Sequence, residues 1–325
     1  MTLGTYPALS LADAHEAWRK ARADLAAGRD PSLVRKREAP GNDFESVALD
    51  WLKKDQTKNK SVREVERIVR RELMPVWGHR DIGRRDILDL IDSIADRGSV
   101  IMARRVQAYV HRLFRWAVGR GIIDANPATD LPKPGAETKR SRVLKDGELA
   151  AIWNAADEIG WPFGHAIRLL ILTGARRKEI GQLKWSEISG NIIALSSART
   201  KNAEPHTIPL SLAAIDVLQR VPHIAESQLI FTTNGTSSVS GWSKAKAKLD
   251  ELSNVKGWRI HDLRRTVSTG MNELGTQPHI VEAVLGHTVK GVAGVYNRAK
   301  YEAAKRAALE TWGAHVMAMI GSEDA

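Results

Sequence analysis

The sequence predicts a mainly α-helical fold with a small β-sheet, divided into two domains. Apolar residues recur at helical spacing over most of the chain. Two short runs that contain β-branched residues, in NIIALSSARTKNAEPHTIPLS, flank a polar turn at residues 202–205 and predict one hairpin. Prolines and basic residues in NPATDLPKPGAETKRSR, from Asn126 onward, predict a linker between the two domains.

The first element along the chain is an amphipathic helix near the N terminus. Gly28 and Pro31 end a helical pattern whose apolar positions are Leu11, Ala14, Trp18, Ala21 and Leu25. The ten residues before it offer this apolar face no partner. We therefore expect the helix to pack on a later segment or to belong to a domain that is mostly missing. Residues 37–43, REAPGND, then predict a linker.

Residues 42–134 predict a compact helical domain. One helix begins at a capping box formed by Ser61 and Glu64, and it stops at Pro75 and Gly78. A second helix begins near Ile101. Its apolar stripe is accompanied by arginines that meet no acidic residue between positions 97 and 123, among them Arg104, Arg105, Arg112 and Arg115. These four arginines are predicted to contact phosphate groups, and the alternative is an ordinary solvated surface.

Residues 140–325 predict the mixed domain. Helical periods at 144–158 and 163–173 precede the hairpin, and helices follow it to the end. The last helix, YEAAKRAALETWGAHVMAMI, has an apolar face that includes Trp312, Val316 and Ile320. That face either packs within the chain or docks on a neighbouring protomer.

Charge and composition narrow the function classes. The formal charge of +11 and the pI of about 9.9 favour a polyanionic partner, nucleic acid first, although some soluble proteins are simply basic. The absence of cysteine excludes disulfides and thiolate nucleophiles. No apolar run approaches the roughly 20 residues that span a bilayer, and the start MTLGTYPALSL lacks the features of a signal peptide. We expect a cytoplasmic protein without a membrane partner.

The segment LLILTGARRKEIGQLKW contains the first candidate site residue. An apolar helix ends at Gly174 and another begins around Arg176. A helix N-terminus attracts anions, and a guanidinium there adds a two-pronged phosphate donor. The alternative is a structural salt bridge, for instance with Glu179.

Three further segments carry candidate residues. In RIHDLRRTVST, His261 and Arg264 are three apart and would share one helix face. His287 directly follows the helix that Gly286 ends, and Lys201 lies at the hairpin turn. Each has a plain structural alternative: a surface pair for His261 and Arg264, a helix cap for His287, and a solvated lysine for Lys201.

The order of these signals is more informative than any one of them. TGARRKEI, Thr173 to Ile180, fits the pattern T-G-x-R-x-x-E-[IL], His261 to Arg264 fits H-x-L-R, and Leu285 to His287 fits L-G-H. In this order they resemble the tyrosine recombinases, or phage integrases, over about residues 42 to 320. The family's nucleophile follows L-G-H by about nine residues, a position that Tyr296 holds here. Tyr301 is expected to pack or cap a helix, and it remains the reserve candidate if the register slips by one turn.

The resemblance implies a chemistry. A tyrosine attacks a DNA backbone phosphate, forms a covalent 3′-phosphotyrosyl ester, and oriented cations stabilise the charge that develops. The resemblance implies that Tyr296 is the nucleophile and that Arg176 and Arg264 bind the nonbridging phosphate oxygens. Lys201 is then the general acid and His261 a general acid/base. His287 would donate a further hydrogen bond to the phosphate, and Glu179 would orient Arg176 or His261. Arginines take the place of divalent ions in this scheme, so neither a metal nor another cofactor is expected.

The resemblance also implies an assembly. A helical core-binding domain (42–134) and a catalytic domain (140–325) form a two-domain tyrosine recombinase clamp on duplex DNA. Four protomers recombine two attachment sites through a Holliday junction, with DNA-bending and directionality proteins as possible accessory partners. Residues 1–38 resemble the closing part of an arm-site DNA-binding domain without the strands that normally precede it, and we expect no independent DNA-binding role for them.

Three other functions remain open at this stage. The same residues could nick and relax DNA, as a type IB topoisomerase does. A non-catalytic DNA-binding protein would form no tyrosine adduct. A metallohydrolase using His206, His261 and His287 would lose activity in chelator.

Overall fold

The computed structural model of the chain describes residues 7, 10–27, 43–78, 80–136, 140–224, 226–287 and 299–321. The chain divides into two compact units, Met1–Lys139 and Arg140–Ala325. Helices predominate in both, and a small sheet lies in the second, so the predicted fold class is confirmed. Among the helices of the described ranges, none is both long and apolar enough to cross a membrane.

The described helices of the first unit are α1 (Leu11–Ala26), α2 (Phe44–Lys54), α3 (Val62–Ile68), α4 (Met74–Trp77), α5 (Arg84–Asp96) and α6 (Val100–Gly119). Aromatic residues from α2, α4 and α6 meet in the core, where the Phe44 and Trp77 rings pack edge to face with centroids 4.8 Å apart. Such pairs add to the stability that burial of the rings already provides.

Helix α1 forms as the periodicity predicts, and the Ser10 side chain caps it by accepting a hydrogen bond from the Asp13 amide. None of its residues is buried. Leu11, Trp18 and Leu25 remain 75%, 52% and 62% exposed. The apolar face of α1 is therefore uncovered among the described residues.

The helix predicted after Ser61 differs from expectation in two respects. Ser61 precedes α3 but its side chain makes no capping bond, and the Glu64 carboxylate instead accepts from Arg67 at 2.9 Å. Gly78 ends the helix at φ 45°, as predicted, whereas Pro75 does not end it. A π-helical turn at Val69–Leu73 precedes α4, so Pro75 lies in the first turn of a new α-helical segment, where the N–H it lacks is not required.

The described helices of the second unit are α7 (Asp146–Ile159), α8 (Phe163–Thr173), α9 (Arg177–Gly181), α10 (Leu212–Gln219), α11 (Trp242–Ser253), α12 (Ile260–Glu273), α13 (Pro278–Leu285) and α14 (Glu302–Gly321). Helices α7 and α8 match the predicted 144–158 and 163–173 closely. Helix α8 is almost wholly buried, and it supplies the centre on which the other helices pack.

The sheet of the second unit is antiparallel, with strand order β1 (Ile188–Ser189), β2 (Ile192–Leu195) and β3 (His206–Pro209). Strands β2 and β3 form the predicted hairpin, with Ile193 opposite Ile208 in the buried row. Strand β1 was not predicted, because two residues are too few for a periodic pattern.

The final helix packs within its own unit. Trp312 is 1% exposed and Val316 is fully buried, and the indole Nε1 donates to the Ile171 carbonyl oxygen at 2.8 Å. Ile320 packs partly buried at the edge of the same core. Of the two predicted fates for this apolar face, intramolecular packing is the one observed, and docking of these residues on a neighbouring protomer is not supported.

Candidate active site

Arg176 is fixed at the junction between α8 and α9. Helix α8 ends at Gly174, which has a left-handed φ of 61°. A Cβ at this position would lie 2.9 Å from Leu285 and 3.0 Å from Val267, so the close packing here also requires glycine. Arg176 then caps α9. The buried Glu179 carboxylate accepts from the Arg176 amide at 2.8 Å and from its Nη1 at 2.8 Å. One carboxylate thus holds both the backbone and the guanidinium of Arg176.

Arg264 projects from α12 into the interior of the unit and is only 6% exposed. Its Nη1 donates to the Gly174 carbonyl oxygen at 2.8 Å, and its Nη2 contacts the Leu285 carbonyl oxygen and, at 2.8 Å, His287 Nε2. Burial, together with the nearby charge of Arg176, lowers the Arg264 pKa to about 10. The guanidinium still carries its charge at neutral pH, and its hydrogen bonds fix its direction.

The carbonyl end of α13 gathers these groups. Three successive carbonyl oxygens accept hydrogen bonds: Val284 from His206 Nε2 at 3.0 Å, Leu285 from Arg264, and Gly286 from Arg176 Nη2 and Asn202 Nδ2, both at 3.4 Å. The last carbonyls of a helix have no partners within it and carry partial negative charge. Donors from β3, from α12, from the cap of α9 and from the hairpin turn therefore meet at this end.

His206 belongs to this cluster as a neutral donor. Burial, reinforced by the charge of Lys305, lowers its pKa to about 4. Because the Val284 carbonyl can only accept, Nε2 of the neutral ring carries the proton. The sequence suggests only one role for His206, that of a metal ligand. Within the described ranges, no group of three or more His, Asp or Glu residues is arranged to hold a metal ion.

The hairpin turn brings Lys201 to this side of the unit. Thr200 is buried and closes the turn through its Oγ1, which donates to the Glu204 carbonyl oxygen at 2.7 Å. The preceding Arg199 ties the turn to α9, donating to the Glu179 carbonyl oxygen at 3.1 Å and pairing with Glu187 at 2.7 Å. Lys201 itself is exposed, and its neighbour Asn202 is the turn residue that bonds to Gly286.

His261 lies in the first turn of α12 and is solvent-accessible. Partial desolvation of the ring and the charges of Arg264 and Arg265 lower its pKa below the usual value. The adjacent Asp262 is buried and fixes this turn, accepting from the Arg259 amide at 2.8 Å and from Arg140 Nε at 2.9 Å. Asp262 was not identified from the sequence.

Of the two candidate tyrosines, Tyr301 lies within the residues that the structure describes. Tyr296 lies outside the described residues. The Tyr301 carbonyl oxygen accepts from the Lys305 amide at 2.8 Å, and its ring packs edge to face with His279, with centroids 5.2 Å apart. The expected packing and capping role of Tyr301 agrees with these contacts.

The four arginines of α6 in the first unit divide into two pairs. Arg104 donates to the carbonyl oxygens of Pro134 and Gly135 at 2.8 and 2.6 Å, and Arg105 pairs with Glu64 of α3 at 3.0 Å. Arg112 and Arg115 are exposed. The acidic partner of Arg105 belongs to another helix and lies outside positions 97–123.

The second unit therefore gathers Arg176, Arg264 and His287 around one helix terminus, an arrangement suited to binding a phosphate group. Comparison with known proteins agrees with this. Residues 142–303 match the model of the phage integrase family, residues 44–133 match the phage integrase central domain, and residues 1–38 match an arm DNA-binding domain.

Full-length relatives are similar along nearly the whole chain. Prophage integrase IntZ of Escherichia coli strain K12 is 29% identical over 335 residues, which cover 95% of this chain and 81% of that protein. The integrase of Shigella phage Sf6 is 25% identical over 327 residues, covering 96% and 85%. The chain belongs to the phage integrase family, the tyrosine recombinases.

Solved structures show the same fold. A lambda integrase dimer bound to a COC′ core site has a TM-score of 0.67 at 18% identity, covering 86% of this chain and 85% of that one. A lambda integrase tetramer bound to a Holliday junction has a TM-score of 0.66 at 18% identity, covering 87% and 89%. At this level of identity the likeness concerns the fold.

Proposed function

We propose that this protein is a site-specific DNA recombinase that integrates or excises a mobile element through a covalent 3′-phosphotyrosyl intermediate. The observation that carries the proposal is the convergence of Arg176, Arg264 and His287 at the carbonyl end of α13. Glu179 holds the Arg176 guanidinium, and the carbonyl oxygens of Gly174 and Leu285 hold that of Arg264, so the two cations form a rigid anion site. Family membership supplies the reaction that such a site serves.

The chemistry requires stabilisation of a phosphorane. The Tyr296 oxygen attacks the backbone phosphorus, the bond from phosphorus to the 5′ oxygen breaks, and the leaving oxygen takes a proton from Lys201. His261 accepts the phenol proton. Arg176 and Arg264 hold the nonbridging oxygens, and their fixed directions mean that little reorganisation is needed as charge develops.

The partners follow from the same assignment. The proposed substrate is double-stranded DNA at two attachment sites, bound by four protomers, with DNA-bending and directionality proteins as accessory partners. In the first unit, the exposed Arg112 and Arg115 are the better candidates for phosphate contacts, because Arg104 and Arg105 already bond within that unit. The proposed location is the bacterial cytoplasm, where such a DNA substrate is found.

Covalent trapping tests the proposal. Nicked duplexes from both ends of the element that encodes the protein are incubated with wild type, Tyr296→Phe or Tyr301→Phe in chelator and run on a denaturing gel. We expect a shifted protein band for wild type and Tyr301→Phe and none for Tyr296→Phe, since phenylalanine lacks the hydroxyl that forms the ester.

The other outcomes would redirect the proposal. Loss of the band with Tyr301→Phe alone would move the nucleophile five positions along the chain, to Tyr301. If the protein binds the duplex but no shifted band appears on the denaturing gel, a non-catalytic DNA-binding protein would be favoured. Relaxation of supercoiled DNA without exchange between two sites would indicate a topoisomerase instead.

A further inference from the structure

Glu282 holds His287 through both its backbone and its side chain. Gly286 has left-handed φ and ψ angles of 61° and 43°, which turn the chain back on α13. The His287 amide then donates to the Glu282 carbonyl oxygen at 3.0 Å, which is the 6→1 hydrogen bond of a Schellman motif at a helix that ends on glycine. The same turn places His287 Nδ1 2.6 Å from Glu282 Oε2. The turn at the helix end therefore brings the two side chains within hydrogen-bonding reach of each other.

The hydrogen-bonding partners of the imidazole determine which nitrogen carries its proton. A carboxylate oxygen only accepts, so Nδ1 donates to Glu282. A guanidinium only donates, so Nε2 of the neutral ring accepts from Arg264 Nη2 at 2.8 Å. With Nδ1 as a donor, Nε2 also donates only when the ring carries a proton on both nitrogens and a phosphate oxygen replaces Nε2 as the acceptor of the Arg264 N–H.

The position of Arg264 makes this contact relevant to a bound anion. Its guanidinium is anchored by the carbonyls of Gly174 and Leu285, and its Nη2 is the nitrogen that also reaches His287. A phosphate oxygen that accepts from this Nη2 lies within reach of Nε2 as well. The position of the ring therefore decides whether two donors or one contact that oxygen.

We propose that Glu282 is a positioning residue: its carboxylate holds the His287 ring with Nε2 directed at the phosphate subsite that Arg264 occupies in the free protein. This inference rests on the proposed function of the same site. Glu282 is proposed to touch neither DNA nor the reacting atoms. It acts only through His287.

Exposure of the pair predicts which property will change. The His287 and Glu282 side chains are 42% and 48% exposed, and a polar contact so accessible to water contributes little to folding stability. Variants at position 282 should therefore fold as wild type does. Their effect should appear in the rate of strand cleavage and not in DNA affinity.

The experiment compares Glu282→Gln, which keeps an oxygen acceptor but loses the charge, with Glu282→Leu, which keeps neither. Single-turnover formation of the covalent adduct on the nicked duplex gives the rate, and fluorescence anisotropy of the same duplex gives the affinity. We expect Glu282→Leu to slow cleavage by about tenfold to a hundredfold, by analogy with the loss of the carboxylate partners that orient metal-bound histidines. Glu282→Gln should recover part of this loss.

A double variant distinguishes positioning from a general structural defect. If Glu282 acts through His287, then Glu282→Leu added to His287→Gln causes no further loss, because the ring it orients is already gone. The control is Asp216→Asn, which removes the charge of a 55% exposed carboxylate paired with Arg220 on α10 and should cleave as wild type does. Equal losses in the two backgrounds, or wild-type cleavage by Glu282→Leu, would overturn the inference.

The ring geometry also has a readout that does not depend on cleavage. In protein labelled with ¹⁵N-histidine, the Nδ1 proton of His287 should be protected and visible in wild type and Glu282→Gln, and lost in Glu282→Leu and His287→Gln. If wild type lacks this proton, the inference fails even when the adduct forms. If the proton is present and wild type forms no adduct, the proposed function fails and the contact between Glu282 and His287 stands.

Discussion

Replacing Gly286 with alanine should destabilise the second unit through two separable effects. The backbone there has a φ of 61°, which costs an alanine about 1 kcal/mol relative to glycine. An added Cβ would also lie 3.0 Å from three atoms of the His206 ring. That ring is held by its bond to the Val284 carbonyl, so relieving the overlap should cost about 1 kcal/mol more. The expected total is about 2 kcal/mol, or a melting temperature lower by about 4–8 °C for a unit of this size.

Gly190→Ala separates the two effects. Gly190 has a similar φ of 55°, yet an added Cβ would meet nothing within 4 Å. It should therefore lose only the backbone part, about 1 kcal/mol. Urea unfolding of both variants and wild type gives the two free energies. If Gly286→Ala and Gly190→Ala lose the same free energy, the contact between Gly286 and His206 does not constrain the helix end, and the reasoning is refuted.

Two further predictions concern the core and the pH dependence of the same unit. Trp312→Ala should lower the free energy of unfolding by about 3–5 kcal/mol, because it leaves a cavity in the core and removes a buried hydrogen bond. Met317→Ala, at a 44% exposed position of the same helix, should cost little. Equal losses for the two variants in urea unfolding would contradict the intramolecular packing of Trp312 and favour docking of α14 on another protomer. The His206 pKa of about 4 in the folded state lies below the ordinary value near 6.5. Between pH 4 and pH 6.5 the unfolded state therefore binds more protons than the folded state. The free energy of unfolding should fall by about 3 kcal/mol as the pH drops from 6.5 to 4. His206→Gln should flatten that part of the stability curve measured by urea unfolding at several pH values, and an unchanged slope would show that His206 titrates normally.

Much of the architecture could be read from local patterns. The ends of α7 and α8, the hairpin of β2 and β3, and the stop at Gly78 depend on side-chain periodicity or on residues with special backbone freedom, and these act over a few positions. The pi-helical turn before Pro75 and the two-residue β1 escaped prediction. Both depend on how a short segment fits against its neighbours, which a local pattern does not encode.

The candidate site was predicted in a different way. Motif order identified Arg176, Lys201, His261, Arg264, His287 and Tyr296 as a set, because the resemblance to a family supplies the spacing that local chemistry does not. Glu282, Asn202 and Arg199 carried no such signal. Their relevance comes from contacts: Asn202 bonds to a carbonyl 84 residues away.

By itself, the sequence determined the helical character, the basic charge, the order of the motifs and the family. Only the tertiary structure decided that the carbonyl end of α13 is the point where Arg176, Arg264 and His206 meet, that Arg105 pairs with Glu64, and that α14 packs on its own unit. The physical reason is that a hydrogen bond forms only where donor and acceptor have the right distance and direction in space, whatever their separation along the chain. Arg264 lies 90 residues from Gly174 along the chain, and only the packing of α8, α12 and α13 brings them within 2.8 Å.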